Sequence, residues 1–239
     1  MAFAYPVSLE VGGRRAVVIG EEAVRVGKAE ALLDAGAVVT VIAEGPARRL
    51  DALELRGVEV RRRAYVSGDL AGAFVCVAST DDPATAAAIH AEGRRGGVLV
   101  NVMDDVPHCD FAAPAVVRRG DLAIAISTGG RSPALARRLR EDLERQYGPE
   151  WAALLHVIGD VRAHTLAALP DLGERIRAWA RALDPEALLT LVREGRDGEA
   201  REVLTAALLA GGSPTGADAD AVDRLAAPDA SPFEAAAAR

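Results

Sequence analysis

The amino-acid sequence predicts an α/β fold, in which a doubly wound parallel sheet is followed by a small α+β region and a C-terminal helical domain. Three observations lead to this prediction. The chain has 239 residues, half of them hydrophobic, which is enough for a large buried core. Up to residue 110, short apolar runs alternate with segments of helical periodicity, as in sheets covered by helices on both faces. Beyond residue 110, that alternation stops and helical patterns dominate.

The first part of the chain contains four runs that are predicted to be buried parallel strands, because they are short and apolar. They lie at residues 16–20, 37–43, 73–78 and 98–102, and residues 58–62 could form a further short strand. Helices are predicted between them at 23–35, 50–55 and 82–94. Gly36 is a suitable end for the first helix, and Pro83 lies near the start of the third, where a missing N–H is tolerated.

The second part begins with a predicted hairpin of strands 115–119 and 122–127. A glycine-rich loop follows, in which Ser132 is predicted to cap a helix that begins at Pro133. The chain from 134 to 210 is predicted to be helical. Its breaks are expected near Gly148-Pro149, Pro170, Asp184-Pro185 and Gly195.

Composition excludes several classes of protein. The formal charge of −7 argues against a nucleic-acid binder, which needs a basic surface to neutralise phosphates. Two cysteines, Cys76 and Cys109, form no disulfide framework and suit a reducing cytoplasm. No apolar run is long enough to span a membrane, and residues 1–10 lack the pattern of a signal peptide.

The turn after the first strand is a candidate dinucleotide site, because a helix that starts there can bind a pyrophosphate. The residues are Gly20-Glu21-Glu22-Ala23-Val24-Arg25, and only the first glycine of the usual G-x-G-x-x-G pattern is present. The alternative is that Gly20 simply ends a strand. Glu44, after the second strand, could accept a hydrogen bond from an adenosine ribose and so favour NAD, whereas Arg48 and Arg49 would favour NADP. A solvated Glu44 in a loop is the other interpretation.

Three further segments, taken together in this order, form a pattern that is specific to one protein family. They are Ala78-Ser79-Thr80-Asp81-Asp82, then the run Asn101-Val102-Met103-Asp104-Asp105-Val106-Pro107-His108-Cys109-Asp110-Phe111, and then the run Ile126-Ser127-Thr128-Gly129-Gly130-Arg131-Ser132-Pro133 with Ala134-Leu135-Ala136-Arg137. This set resembles the precorrin-2 dehydrogenase / sirohydrochlorin ferrochelatase family, which also forms the N-terminal part of siroheme synthase. The resemblance covers about residues 3–205, including Tyr5-Pro6-Val7-Ser8-Leu9 and Lys28-Ala29.

The resemblance implies a Rossmann-like enzyme that oxidises precorrin-2 to sirohydrochlorin with NAD⁺, and in some relatives inserts Fe²⁺ to form siroheme. It implies a homodimer, and a stand-alone member, since no methyltransferase domain is evident. The expected domains are an NAD-binding domain at 1–112, a dimerisation region at 113–148 and a helical domain at 149–210. The tail at 211–239 consists mainly of Gly, Ser, Pro, Ala and Asp, and we expect it to be disordered or weakly helical.

The resemblance also implies site residues. Asp104 matches the aspartate essential to catalysis, and a carboxylate there could accept protons that the macrocycle releases. Taken alone, an aspartate in a loop is more typical of a turn or a helix cap. The expected cofactor-binding residues are Gly20, Glu22, Ala23, Val24, Glu44, Gly45, Ser79 and Thr80. The expected substrate-binding residues are Asn101, His108, Ser127, Thr128, Gly129, Gly130, Arg131 and Arg137.

Other roles stay open for several of these residues. The substrate has eight carboxylates, which suit arginines near the glycine loop. The alternative for the arginines after the loop is a solvated helix face with ion pairs to Glu141, Asp142 and Glu144. Cys109 is predicted to be a small buried hydrophobe, and no metal ligand set is predicted.

The chain departs from the family at the cofactor loop, where relatives usually have consecutive glycines and this sequence has Gly20-Glu21-Glu22. Two carboxylates beside a pyrophosphate are unfavourable unless Arg25 or Lys28 neutralises them. Three functions therefore stay open. They are the dehydrogenase, a chelatase for Fe²⁺ or Co²⁺ without dehydrogenase activity, and a non-catalytic protein that binds a tetrapyrrole or a partner.

Overall fold

A computed structural model describes residues 5–45 and 47–210. Its contacts divide the chain into two compact units. Within the described residues, the first unit spans 5–114 with Ser127–Pro133, and the second spans Ala115–Ile126 with 134–210. The functional domains expected from the sequence, with boundaries after residues 112, 148 and 210, stay a prediction. The tail expected to be disordered lies outside the described residues.

The first unit contains a five-stranded sheet in which every pairing is parallel. The strands are β1 Arg15–Ile19, β2 Val38–Ile42, β3 Glu59–Arg61, β4 Val75–Ala78 and β5 Leu99–Val102. Their spatial order is β3-β2-β1-β4-β5, which confirms the predicted doubly wound sheet. The chain builds outward from β1 in one direction and then in the other, so the switch point lies between β1 and β4.

Four helices and one short 3-10 helix accompany this sheet. They are α1 Glu21–Arg25, α2 Lys28–Asp34, α3 Ala47–Glu54, α4 Pro83–Gly96 and the 3-10 helix Val106–His108. The prediction of one helix over 23–35 is wrong. Gly27 adopts φ 77° and ψ 25°, a left-handed conformation that an α-helix does not accommodate, so the segment forms two short helices instead.

The sheet has a buried hydrophobic layer on each face, because neighbouring side chains of a strand point to opposite sides. In β1, Ala16 and Val18 belong to one layer, which includes Leu50 of α3. Val17 and Ile19 belong to the other, which includes Ile89 of α4. The continuous apolar strands of the sequence are thereby explained.

The second unit contains the predicted hairpin, formed by the antiparallel strands β6 Ala115–Arg119 and β7 Leu122–Ile126. Its helices are α5 Pro133–Gln146, α6 Glu150–Thr165, α7 Leu172–Ala182, α8 Pro185–Arg193 and α9 Asp197–Leu209. The predicted helix breaks are confirmed. A separate core built from Leu154, Val157, Leu188 and Leu204 joins α6, α8 and α9.

Candidate functional site

The residues that follow β1, β4 and β5 lie side by side at the carboxyl edge of the sheet. Three backbone hydrogen bonds align them. These bonds run from the amides of Gly20, Ser79 and Met103 to the carbonyls of Ile42, Ile19 and Ala78, at 2.9, 2.8 and 2.8 Å. In open α/β sheets, ligands bind outside this edge, at the switch point. Here the edge carries the Gly20 turn, Ser79 and the turn that contains Asp104.

Gly20 is required by the close approach of two turns. Its φ of 90° and ψ of 154° form a conformation that essentially only glycine adopts. A Cβ at this position would lie 2.0 Å from the carbonyl oxygen of Ser79. The Ser79 hydroxyl also accepts a hydrogen bond of 2.9 Å from the amide of Ala23. The structure thus brings together three residues expected to bind the cofactor: Gly20, Ala23 and Ser79.

A cavity of 220 Å³ lies beside this turn, at the ends of β1 and β2. It is lined by Glu21, Glu22, Val24, Arg25, Ala43, Gly45, Arg49 and Leu50. Three of these, Glu22, Val24 and Gly45, were expected to bind the cofactor. Glu44 is exposed and does not line the cavity, and its proposed contact with a ribose stays a prediction. Thr80 accepts a hydrogen bond of 3.1 Å from the Asp82 amide, and its role toward a cofactor also stays a prediction.

Sequence reasoning missed part of this cavity. Ala43 and Leu50 were not expected to line it, Glu21 was expected only as a charge beside the pyrophosphate, and Arg49 was considered only for the choice of coenzyme. The signal that could have found them is their position, since each lies within the first turn after a strand or early in the next helix.

The charges of the cavity are partly compensated. Arg25 donates two hydrogen bonds of 2.7 Å to the carboxylate of Glu22, which confirms that Arg25 neutralises it. The aliphatic part of Glu21 covers Gly45, where a Cβ would lie 2.7 Å from the Glu21 Cγ. Arg49 Nε lies 3.5 Å from Glu30 Oε1. Among the described residues, the other oxygen of Glu30 is buried without a hydrogen-bond partner.

Asp104 has an unusual backbone. Its φ is 61°, and in residues 5–45 and 47–210 no other residue except glycine has a positive φ. Aspartate tolerates this left-handed region better than most residues, but still at a cost in free energy. The side chain is exposed, and we find no hydrogen bond or ion pair to its carboxylate from the described residues. Of the two alternatives for a lone aspartate, the turn is confirmed. The helix cap is wrong, because the N-cap of the following 3-10 helix is Asp105.

The polar residues after Asp104 mainly support their own loop. Asn101 is buried, and its amide nitrogen donates to Cys109 Sγ at 3.3 Å and to the Phe111 carbonyl at 2.9 Å. His108 Nδ1 lies 2.7 Å from the carboxylate of Asp105. Substrate contacts by Asn101 and His108 therefore stay predictions. Both side chains already have hydrogen-bond partners within the loop.

Cys109 differs from the small hydrophobe that was expected. Its side chain is half-buried, and the thiol donates to the carbonyls of Val102 and Asp105 at 3.0 and 3.3 Å. Burial raises the pKa of this thiol, so the neutral form that donates is favoured.

The glycine-rich loop before α5 is folded on itself. Thr128 Oγ1 accepts from the amide of Ser132 at 3.2 Å and donates to the carbonyl of Ser132 at 3.1 Å. Ser127 Oγ accepts from the amide of Gly129 at 3.2 Å. Gly129 and Gly130 have φ of 59° and 76°, which explains why glycines occur in this turn. The role of the loop toward a substrate stays a prediction.

All four arginines of α5 are in ion pairs, as the alternative interpretation expected. Arg137 Nε lies 3.1 Å from Glu141, and three further pairs join Arg138 with Asp142, Arg140 with Glu144 and Arg145 with Asp142. Arg131 differs, because in the part of the chain that the structure describes it has no ion pair. It is therefore the arginine of this segment best suited to a ligand carboxylate.

Neither a metal site nor a membrane span is found in residues 5–45 and 47–210. No three histidine, cysteine or acidic side chains of these ranges come together as metal ligands. No helix within them is long and apolar enough to cross a membrane.

The family assignment comes from comparison with known proteins. The family described as putative NAD(P)-binding matches residues 7–115, and the family described as sirohaem biosynthesis protein central matches residues 119–146. The siroheme synthase of Methylococcus capsulatus is 37% identical over 201 residues, which are 83% of this chain and 42% of that protein. The chain belongs to the precorrin-2 dehydrogenase / sirohydrochlorin ferrochelatase family. The resemblance seen in the sequence is thereby confirmed.

Further members of this family support the assignment. The siroheme synthase of Gluconacetobacter diazotrophicus is 34% identical over 89% of this chain and 46% of its own length. The chain thus spans less than half the length of these relatives. The solved structure of SirC, precorrin-2 dehydrogenase, matches with a TM-score of 0.58 and 25% identity, over 85% of this chain and 98% of that one.

Proposed function

We propose that this chain catalyses the NAD-dependent oxidation of precorrin-2 to sirohydrochlorin in siroheme biosynthesis. The observation that carries the proposal is Asp104, whose carboxylate is exposed in a left-handed turn at the end of β5. A strained residue at the carboxyl edge of a parallel sheet is typical of a functional site. The similarity to siroheme synthases and to a precorrin-2 dehydrogenase supports this reaction.

The residues at the switch point fit a dinucleotide. Gly20 packs the first turn against Ser79. Because glycine has no side chain, nothing at this position obstructs a ligand at the sheet edge. Arg25 and Arg49 line the adjoining cavity and would hold phosphate groups, while Gly45 leaves room beside Glu21. When bound there, NAD⁺ supplies the hydride acceptor.

Asp104 would accept a proton as the macrocycle is oxidised. The carboxylate has no described partner to displace, so it is available to a substrate. Arg131, which also lacks a described ion pair, would bind a carboxylate of the substrate. The other predicted substrate contacts, including those of Asn101 and His108, would depend on groups that also support the loop.

We further propose that the protein is a homodimer in the cytoplasm. On α5, Leu135 and Leu139 are 51% and 40% exposed, and apolar side chains of this kind are usual in subunit interfaces. The thiols of Cys76 and Cys109 are free, which fits a reducing compartment. Sedimentation analysis of the wild type beside Leu139→Glu tests the dimer, and an unchanged mass would contradict this interface.

The reaction is tested with purified protein under anaerobic conditions. Precorrin-2 and NAD⁺ are mixed with the wild type, with Asp104→Asn and with Asp121→Asn as a matched control in an exposed turn. Asparagine tolerates the left-handed region, so Asp104→Asn removes the charge with little change in the backbone. We expect sirohydrochlorin and NADH from the wild type and the control, and neither from Asp104→Asn.

Two results would contradict the proposal. Wild-type turnover by Asp104→Asn would remove Asp104 from the mechanism. Absence of turnover by the wild type would argue against a dehydrogenase. Addition of sirohydrochlorin with Fe²⁺ or Co²⁺ as substrate metal would then distinguish a chelatase from a non-catalytic protein.

A further inference from the structure

The turn that contains Asp104 is held through its neighbour Asp105. The amide of Asp105 donates to the Val102 carbonyl at 3.2 Å, and the Asp105 carbonyl accepts from the amide of His108 at 3.0 Å. The carboxylate of Asp105 accepts from His108 Nδ1 at 2.7 Å. Every polar group of Asp105 therefore has a partner, and His108 supplies two of these contacts.

His108 is itself held from outside the loop. The ring of His90, on α4, packs edge-on against it, with ring centroids 5.5 Å apart and an interplanar angle of 71°. His90 Nε2 lies 3.6 Å from the carboxylate of Asp110. That carboxylate accepts from the amide of Val100 in β5 at 3.0 Å. Contacts thus extend from α4 and β5 to the turn of Asp104.

We propose that His108 is a positioning residue, which holds Asp104 in its left-handed conformation by fixing Asp105. This inference rests on the proposed function for its effect on catalysis. Asp105 is bonded directly to Asp104. Hydrogen bonds that fix the backbone and the carboxylate of Asp105 therefore also fix the direction of the Asp104 side chain. A left-handed aspartate relaxes when nothing holds it, since ordinary backbone conformations have a lower free energy.

The contact between His90 and His108 could not be predicted from the sequence. His90 and His108 are 18 positions apart and lie on different elements, so no spacing pattern links them. Neither ring is placed against three other metal-ligating side chains within the described residues. The two imidazoles are instead arranged as a packed pair, each beside one carboxylate.

The proposal is tested with three variants of the full chain. His108→Asn keeps an N–H donor close to the place of Nδ1, whereas His108→Ala and the bulkier His108→Leu do not. His156→Ala is the matched control, because His156 is exposed on α6 in the second unit. A small misplacement of a catalytic group lowers rates on the order of 100-fold.

We expect His108→Ala and His108→Leu to lower kcat by about that factor, with Kd for NAD⁺ unchanged. A raised KM for precorrin-2 with wild-type kcat would instead show that His108 contacts the substrate, which would overturn the positioning role. His108→Asn should restore most of kcat. A loss of kcat in all three variants would mean that His108 acts through its other nitrogen, which would overturn a purely positioning role. Wild-type kcat in His108→Ala and His108→Leu would overturn it as well.

A second measurement does not depend on activity. The NMR chemical shifts of residue 104 report whether its φ is positive. We expect the shifts of the wild type to be kept in His108→Asn and to move toward ordinary values in His108→Leu. Unchanged shifts in His108→Leu would overturn the proposal even if the protein proved to have no dehydrogenase activity, and shifts that move would support it in that case too.

Discussion

The guanidinium of Arg25 holds the carboxylate of Glu22 through two hydrogen bonds, both 2.7 Å long. The pair lies in the helix that follows Gly20, and both side chains line the cavity at the ends of β1 and β2. Their side chains are 69% and 44% exposed, and exposed pairs of this kind contribute about 1 kcal/mol or less to stability. A ligand phosphate can therefore replace Glu22 as the partner of Arg25 at a small cost in free energy.

We expect Glu22→Gly to bind NAD⁺ more tightly, because it removes a negative charge and a side chain from the cavity and frees Arg25. A gain of about 1 kcal/mol corresponds to a roughly fivefold lower Kd. Isothermal titration calorimetry measures it directly. Glu174→Gln is the control, since Glu174 is exposed on α7 and has no proposed contact with the cofactor. An unchanged Kd in Glu22→Gly would show that the pyrophosphate does not meet this turn.

Gly20→Ala should strongly lower the free energy of unfolding. Its methyl group would lie 2.0 Å from the Ser79 carbonyl oxygen, and the turn cannot yield without separating β1 from β4. Gly57→Ala is the matched control, because Gly57 has a φ of 84° but nothing within 4 Å of an added Cβ. We expect the control to lose about 1 kcal/mol in denaturant unfolding and Gly20→Ala to lose at least several times more. Equal losses would contradict the close approach.

Asp104→Gly should separate stability from activity. Glycine adopts the left-handed conformation without strain, so the free energy of unfolding should rise by about 1 kcal/mol. For a chain of this length, the melting temperature should rise by roughly 2–4 °C. Turnover of precorrin-2 should be lost with the carboxylate. Asp104→Ala, in comparison, should lose both turnover and stability. Lower stability in Asp104→Gly would mean that the carboxylate has a structural role.

Asp69 should make stability depend on pH. It is 3% exposed, and hydrogen bonds from Arg63 hold its pKa at about 2, with further contributions from the Val66 amide and Arg61. Because the folded pKa lies below the unfolded value near 3.9, the contribution is complete above pH 5 and is lost as the pH falls toward 2. It amounts to about 2 kcal/mol.

The measurement is urea unfolding of the wild type and Asp69→Asn between pH 7 and pH 2. We expect the variant to lose roughly 3 kcal/mol at pH 7, because Arg61 and Arg63 lose their shared carboxylate. Below pH 3, the difference between the two proteins should shrink. Asp81→Asn is the control, since Asp81 is exposed. A difference that stays constant with pH would show that the carboxylate is not the source of the effect.

The sequence by itself determined the fold class and the family. Strands, helix breaks and the hairpin follow from patterns within a few residues, because hydrophobic periodicity, glycine and proline act locally. The family resemblance likewise lies in short motifs around Ser79, Asp104 and Gly129, which are legible without any knowledge of how the chain folds.

Only the tertiary structure decided which side chains meet. It placed Arg49 rather than Glu44 at the cavity, paired His90 with His108, and revealed the left-handed backbone of Asp104. Contacts of this kind join residues that are distant in the chain or depend on backbone angles. A one-dimensional pattern specifies the face on which a side chain lies, but not the distance to a partner on another element.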